Sequence, residues 1–177
     1  AGFQQALYDC GSLTGSLPPA LIQVEMQTFS GCHSLTGPLP PGLTQVGIHA
    51  FSGCRSLTGP LPLRLTKIEG YAFRGCSSLT GALPPGLTQI KEATFSGCSS
   101  LTGPLPPGLM QVELGAFSGC IGLEGLVTLS SNSKFEKNRF RPNPFGDCEQ
   151  LTFKASLRFP ITHPTSPSGL PTYSKHL

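Results

Sequence analysis

The sequence is poor in charged residues, at 12% of 177, and it has no tryptophan and three tyrosines. Its formal net charge of +3 is too small for a nucleic-acid-binding protein, because such proteins face phosphates with a dense basic surface. No run of 18 apolar residues is present, so the sequence predicts no membrane-spanning helix. These absences argue against partners made of nucleic acid and against a membrane span.

The usual signatures of catalysis and metal binding are also missing. The seven cysteines include no C-x-x-C pair, which zinc sites commonly use. The histidines have no carboxylate at a spacing that suits a catalytic triad or a metal site. No Gly-rich phosphate loop or nucleophile elbow occurs. The sequence thus predicts no catalytic residue, no cofactor and no metal ion.

Glycine and proline are abundant instead, with 22 and 18 residues respectively. Such a bias is typical of disordered chains when it has no period. Here the cysteines recur every 22 residues before a final step of 28, at Cys10, Cys32, Cys54, Cys76, Cys98, Cys120 and Cys148. Each repeat, or rung, has the form C-x-x-L-T-G-x-L-P-P-x-L-x-x-V/I-x-x-x-A/T-F-x-G.

Equivalent positions of successive rungs form columns, and five of these columns are apolar. Three contain leucine, beginning at Leu13, Leu17 and Leu21. A fourth contains valine or isoleucine from Val24 onward, and a fifth contains phenylalanine from Phe29 onward. A single rung cannot hide its apolar side, whereas stacked rungs bury it against their neighbours, so the pattern predicts a solenoid.

Each rung is predicted to contain a short strand, a corner and a short helical turn. The Leu-Thr-Gly-x-Leu stretch favours a strand, and the Pro-Pro that follows ends it in an extended corner. The Phe-x-Gly-Cys stretch favours a helical turn that the glycine terminates. Because Pro38, Pro60 and Pro104 lack an N–H group to donate to a neighbouring strand, we expect a thin and irregular sheet.

The spacing, the leucine columns and the A-F-x-G-C signature over residues 10–153 resemble the BspA-like (Treponema-type) leucine-rich repeats. The resemblance implies an α/β fold, a right-handed solenoid with short parallel strands, short helical turns and an irregular C-terminal end. It also implies a surface or secreted protein that binds other proteins or cells, as many members of that family are. The sequence departs from the family where Gly37 or the neighbouring Pro38 replaces the usual apolar residue.

The repeat divides the chain into four predicted parts, namely the remnant of a preceding rung at 1–9, five regular rungs at 10–119, degenerate terminal rungs at 120–159 and a flexible tail at 160–177. The first part is inferred from Leu7 and Asp9, which occupy the phenylalanine and glycine columns. The tail is inferred from its Ser, Pro and Gly content. The clipped start and the missing initiator Met predict a fragment or a mature product.

The cysteine column has two interpretations. Rungs about 4.8 Å apart would bring neighbouring cysteines within the Cα range of a disulfide. A ladder of small buried thiols is favoured, because cysteine often fills such positions and because an odd count of seven leaves one cysteine unpaired.

Two polar columns also allow more than one interpretation. The threonine column that begins at Thr14 either satisfies the local backbone or presents a flat array to an ordered surface such as ice or a glycan. The former is favoured, because Gly and Pro beside each threonine disturb a regular strand. The Gln/Lys column that begins at Gln23 is interpreted as a solvated outer edge.

The most variable positions of the repeat precede the phenylalanine or follow the cysteine. A partner that is recognised specifically would be recognised there, so the candidate binding residues are Gln27, His33, His49, Arg55, Tyr71, Lys91 and Glu113. The alternative is that these positions vary because nothing contacts them.

We therefore expect a non-catalytic protein-binding or adhesion module, with a protein partner favoured over a glycan. A cell-surface or secreted location is favoured, and a cytoplasmic one stays open. The alternative is a regulatory or targeting segment of a larger intracellular protein whose activity lies outside this chain. The repeat indicates no particular oligomeric state.

Overall fold

The computed structural model describes residues 7–129 and 151–155. Successive rungs lie side by side, and equivalent positions pair in parallel, such as Gln23 with Gln45 and Gln45 with Lys67. Each step along the stack is therefore one rung of 22 residues, as the period predicts. Parallel strands without a closed barrel confirm the leucine-rich-repeat solenoid, while the handedness of the coil stays a prediction.

Ten short strands occur in the described residues: β1 (Gln23–Val24), β2 (Gly37–Pro38), β3 (Gln45–Val46), β4 (Leu57–Pro60), β5 (Lys67–Ile68), β6 (Leu79–Thr80), β7 (Gln89–Ile90), β8 (Gln111–Val112), β9 (Gly125–Leu129) and β10 (Leu151–Ala155). The strands form two ladders along the stack and one terminal pair, β9 with β10.

The first ladder contains the Gln/Lys column. Strands β1, β3 and β5 form one sheet, and β7 pairs with β8 further along the stack. The second residue of each strand, such as Val46 or Ile90, is buried, while the residue before it is exposed or partly exposed. The sequence did not predict these strands, because two residues show too little alternation to be recognised.

The second ladder confirms the strand predicted at Leu-Thr-Gly. Strands β2, β4 and β6 form its main sheet, and single bridges such as Gly103 with Leu123 continue the pairing at other rungs. Strands of two to four residues make the sheet thin, as the prolines predict. The strands β2 and β4 each end at a proline, Pro38 and Pro60, where the ladder loses a donor.

The core lies between the ladders and the turns. Its most regular part is a stack of phenylalanine rings, with centroids 5.5–5.8 Å apart and planes within 8° of parallel, at Phe29, Phe51, Phe73, Phe95 and Phe117. The leucine and valine/isoleucine columns are buried around this stack in most rungs. Every rung therefore packs its apolar side against both neighbours, which is what the apolar columns predict.

The predicted short helical turns are absent, because the described residues contain no helix. The amide of Phe51 donates to the Ala72 carbonyl of the next rung at 2.8 Å, where a helix would use the residue four positions earlier. The amide of Cys54 donates to Phe51, three residues back, at 3.1 Å. Bonds within the turn thus alternate with bonds between rungs, and this part of the predicted α/β class is wrong for the described residues.

Part of each predicted terminal region lies outside the described residues. Leu7 and Asp9 are described, and their amides donate to Thr28 and Ser30 of the next rung at 3.2 and 2.6 Å. Residues 1–6, 130–150 and 156–177 lie outside, and with them most of the degenerate rungs and the flexible tail. The boundaries of the four parts therefore stay predictions.

Candidate partner-binding surface

Each turn contains two residues with a positive φ angle, four positions apart. The first set, the outer column, has φ of 47–61° at Gln27, His49, Tyr71, Ala93 and Gly115. The second set, the glycine column, has φ of 75–81° at Gly31, Gly53, Gly75, Gly97 and Gly119. One column thus keeps side chains in four of five rungs, and the other has none.

The difference in φ accounts for the residue types. The left-handed region open to L-residues is narrow, at roughly +50 to +70°, and the glycine column lies beyond it. Asp9 supports this reason, because it occupies the position of the glycine column in its rung and has φ of 56°. A side chain at a left-handed position still costs about 1–2 kcal/mol relative to a right-handed one. Side chains in the outer column are therefore retained at a cost.

Hydrogen bonds between rungs hold the backbone of the outer column. The amide of Gln27 donates to the Ile48 carbonyl at 2.9 Å, and that of Tyr71 donates to the Glu92 carbonyl at 2.8 Å. The side chains of this column are partly exposed. They are thus presented at intervals of one rung on a fixed backbone.

Four of the seven predicted residues are joined by contacts at this surface. The rings of His49 and Tyr71 stack with centroids 4.6 Å apart and planes 18° from parallel. The Tyr71 hydroxyl donates to Glu92 Oε1 at 2.6 Å. That bond, aided by burial, raises the pKa of Tyr71, because the proton is held between the two oxygens.

Glu113 continues the same network from the next rung. Its Oε2 accepts the Glu92 amide at 3.1 Å, and its Oε1 lies 3.4 Å from Lys91 Nζ. Gln111 Nε2 donates to Glu113 Oε1 at 3.2 Å. The network therefore runs from His49 to Glu113 across four rungs.

The other three predicted residues are Gln27, in the outer column, and His33 and Arg55, which follow the cysteine. Gln27 precedes His49 in the outer column. His33 lies after the cysteine and bonds locally, with Nδ1 3.2 Å from Ser34 Oγ. Ser56 Oγ donates to the His33 carbonyl at 2.6 Å. Arg55 is exposed and occupies, in the next rung, the position equivalent to His33.

Three further residues belong to the surface and were not among the predicted ones. Glu92 links Tyr71 to Glu113, and Gln111 buttresses Glu113. Arg74 places its Cζ 6.0 Å from the centroid of the Tyr71 ring. The sequence could have indicated Arg74, because the equivalent residue is serine in the four other regular rungs, at Ser30, Ser52, Ser96 and Ser118.

The cysteine column forms a ladder of free thiols, as the favoured interpretation predicts. Cys10 is partly exposed, and the five from Cys32 to Cys120 are buried. Cys54 Sγ donates to the Phe29 carbonyl of the preceding rung at 3.0 Å, and the bond recurs along the stack. Burial raises the pKa of Cys54 to about 12 and those of Cys76 and Cys98 well above the usual value. These thiols are therefore neutral structural groups.

The threonine column is exposed in all five rungs, and Thr36 Oγ1 donates to the Gly15 carbonyl at 3.3 Å. This bond agrees with the backbone role that the sequence favours. Within the described ranges, no group of three or more His, Cys, Asp and Glu side chains is arranged to hold a metal ion. Nor does this part of the chain contain a helix that could cross a membrane.

The sequence matches the model of a known repeat family. The family model of the BspA type leucine rich repeat region matches residues 22–152 in six copies. No curated protein matches the sequence significantly.

Two solved structures share the fold. A leucine-rich repeat protein from Bacteroides ovatus is 25% identical with a TM-score of 0.56, and the match covers 73% of this chain and 40% of that one. A leucine rich repeat protein of T. pallidum is 31% identical with a TM-score of 0.56, covering 81% of this chain and 69% of that one. The chain thus spans less than half of the Bacteroides protein.

Proposed function

Because the chain belongs to the BspA type leucine rich repeat family, we propose that it is a non-catalytic module that binds a protein partner through its outer column. The observation that carries the proposal is the retention of Gln27, His49 and Tyr71 at left-handed positions, where glycine would be sterically easier. Strain of this kind persists where a side chain is needed, and it is common at binding sites.

The composition of the surface supports a protein partner. Met26 and Ile48, which immediately precede Gln27 and His49, are 37% and 44% exposed. Aromatic and apolar side chains beside charged ones are typical of protein interfaces. The stacked rings of His49 and Tyr71 are already ordered, so that binding costs them little further side-chain entropy.

The finer parts of the proposal rest on the family. We place the protein at the cell surface or outside the cell, and we take adhesion to a partner protein as the form of binding. A glycan partner would instead bind the exposed threonine column on the second ladder. The place of binding on the chain therefore distinguishes a glycan partner from a protein partner.

The test is a site-specific photo-crosslink in the intact chain. A benzoylphenylalanine at position 71 should crosslink one protein when the chain is applied to intact cells. The matched control carries the same residue at Thr58, which is exposed on the second ladder. Excess parent chain should suppress the crosslink, while excess chain carrying Tyr71→Ala and His49→Ala should not.

Equal crosslinking from positions 58 and 71, or none from position 71, would refute the proposed surface. A crosslink confined to position 58 that glycosidase treatment removes would favour the glycan alternative.

A further inference from the structure

We infer that the surface step beside the Tyr71 ring, next to Glu92, Ala93 and Gly115, binds an arginine side chain of the protein partner. The inference rests on the proposed function and deepens it by naming the chemical group that this surface recognises. It follows from three observations: where the ring stack ends, which oxygen is left without a partner, and which cation already lies near the ring.

The outer column loses its large side chains after Tyr71. His49 covers one face of the Tyr71 ring, at a centroid distance of 4.6 Å. The column continues in the next rungs with Ala93 and then Gly115, so that no further ring follows Tyr71 to stack on its other face. A Cβ atom added at Gly115 would meet nothing within 4 Å. The stack of large side chains therefore stops at a step after Tyr71, where the Arg74 guanidinium approaches the ring.

A carboxylate lies beside this step. Glu92 precedes Ala93, and its Oε1 accepts the Tyr71 hydroxyl at 2.6 Å. Its Oε2 has no hydrogen-bond partner among the described residues. The neighbouring Lys91 and Glu113 are paired with each other, so that Glu92 leaves this group of three with a net charge of −1. An aromatic ring and a carboxylate with a free oxygen thus lie side by side at this step.

Guanidinium is the group that fits both features. It is flat and weakly hydrated, so it stacks on an aromatic face, and its fork of N–H groups pairs with a carboxylate. An ammonium group is a compact and strongly hydrated charge that gains less from the ring. An anion would be repelled by Glu92, and a neutral ring would leave its Oε2 without a partner.

A guanidinium group of the chain itself lies near the Tyr71 ring. Arg74 Cζ lies 6.0 Å from the ring centroid, at the outer limit of a cation–π contact. The equivalent residue is serine in the other rungs, so Arg74 is specific to the rung that carries the tyrosine. An incoming arginine would compete with Arg74, and removal of Arg74 should therefore improve binding.

The test uses the full chain with alanine methyl groups labelled with carbon-13 and the probe peptide acetyl-Gly-Arg-Gly-amide. We expect saturable shifts at the Ala93 methyl and none at Ala82, which is exposed on the second ladder. The peptide with lysine in place of arginine should bind more weakly, and the peptide with citrulline should not bind. Arg74→Ser should tighten arginine binding about threefold, the scale of one exposed cation–π contact.

Glu92→Gln, which keeps an acceptor for Tyr71, should weaken binding about tenfold through loss of the charged pair. Tyr71→Ala should abolish the shift at Ala93, with the Ala50 and Ala116 methyls reporting that the core is intact. Equal shifts with citrulline, or weaker binding after Arg74→Ser, would overturn the inference. If the position-71 crosslink succeeds while the arginine peptide fails, the surface binds a protein by another group, and only the arginine assignment is lost.

Discussion

Each turn has an inner side, which is nearly constant from rung to rung, and an outer side, whose side chains vary. On the inner side, phenylalanine, cysteine and the glycine column hardly change from rung to rung in residues 29–120. On the outer side, Gln27, His49, Tyr71, Ala93 and Gly115 have different side chains at nearly the same φ. The stacked rings of the inner side are buried, while those of His49 and Tyr71 are partly exposed.

The comparison separates two demands on one segment. The inner columns repeat because each buried side chain packs against its equivalents in both neighbouring rungs. A change in one rung therefore disturbs the packing of two others. The outer column is free of that demand, because rungs are joined there by backbone hydrogen bonds that every residue type except proline can donate. Stability should therefore depend on the inner side, and recognition on the outer side.

The largest expected effect is the loss of a ring on the inner side. Phe73→Ala removes a fully buried ring from the middle of the stack and should lower the free energy of unfolding by about 3–5 kcal/mol. Tyr71→Ala, two residues earlier, should lower it by less than about 1.5 kcal/mol, the scale of one stacked pair or hydrogen bond. Urea denaturation followed by circular dichroism measures both, and equal losses would break the comparison.

Alkaline pH should act first on the inner side, because the Tyr71 hydroxyl, whose pKa is also raised, begins to ionise in the unfolded chain only near pH 10. The folded state holds the protons of Cys54, Cys76 and Cys98 at pH values where the unfolded thiols release them, because burial raises their pKa. Their contribution is complete below pH 9 and declines above it, by up to about 1.4 kcal/mol per pH unit for each thiol. Urea denaturation at pH 8 to 10.5 should show this decline, and Cys76→Ala should make it shallower. A stability independent of pH over this range would contradict the assignment.

Two substitutions exchange residue types between the glycine column and the outer column. Gly75→Ala places a Cβ at φ of 75° and should lower the free energy of unfolding by about 1–2 kcal/mol. Ala93→Gly relieves a left-handed side chain but adds freedom to the unfolded chain, so it should change stability by less than about 0.5 kcal/mol. Thermal unfolding of both variants compares them, and the reverse order would show that φ does not decide the residue types.

The smallest effect concerns the ion pair of Lys91 with Glu113. Both side chains are about one-third exposed, at 35% and 34%, so solvent screens the pair. Lys91→Met should change the free energy of unfolding by less than about 1 kcal/mol, and high salt should remove most of that change. A loss that persists in high salt would indicate packing of the lysine stem instead of charge.

The sequence predicted the inner side well. A cysteine every 22 residues, with leucine and phenylalanine at fixed positions between, leaves few arrangements in which each rung buries its apolar side. The prolines after Gly37 and Gly59 correctly predicted a thin ladder. The family followed from the same residues.

The turns and the outer side were harder to predict. Nothing in the residue types of Gln27, His49 and Tyr71 signals a positive φ, and the Phe-x-Gly-Cys stretch that follows them is typical of a helical turn, which the structure does not contain there. Variation between rungs selected His49, Tyr71, Lys91 and Glu113, which the structure joins. Variation between rungs could not distinguish these four residues from His33 and Arg55, because the sequence repeat does not show which variable positions are in contact in the folded chain.

The most direct test of the division between the two sides is the unfolding free energy of one variant that carries Gln27→Gly, His49→Gly and Tyr71→Gly. Relief of three left-handed side chains should be balanced by the added freedom of the unfolded chain, so that only the stack and the hydrogen bond are lost, and we predict a stability within about 2 kcal/mol of the parent. A loss as large as that of Phe73→Ala would show that the outer column holds the fold together, and the separation of stability from recognition would be wrong.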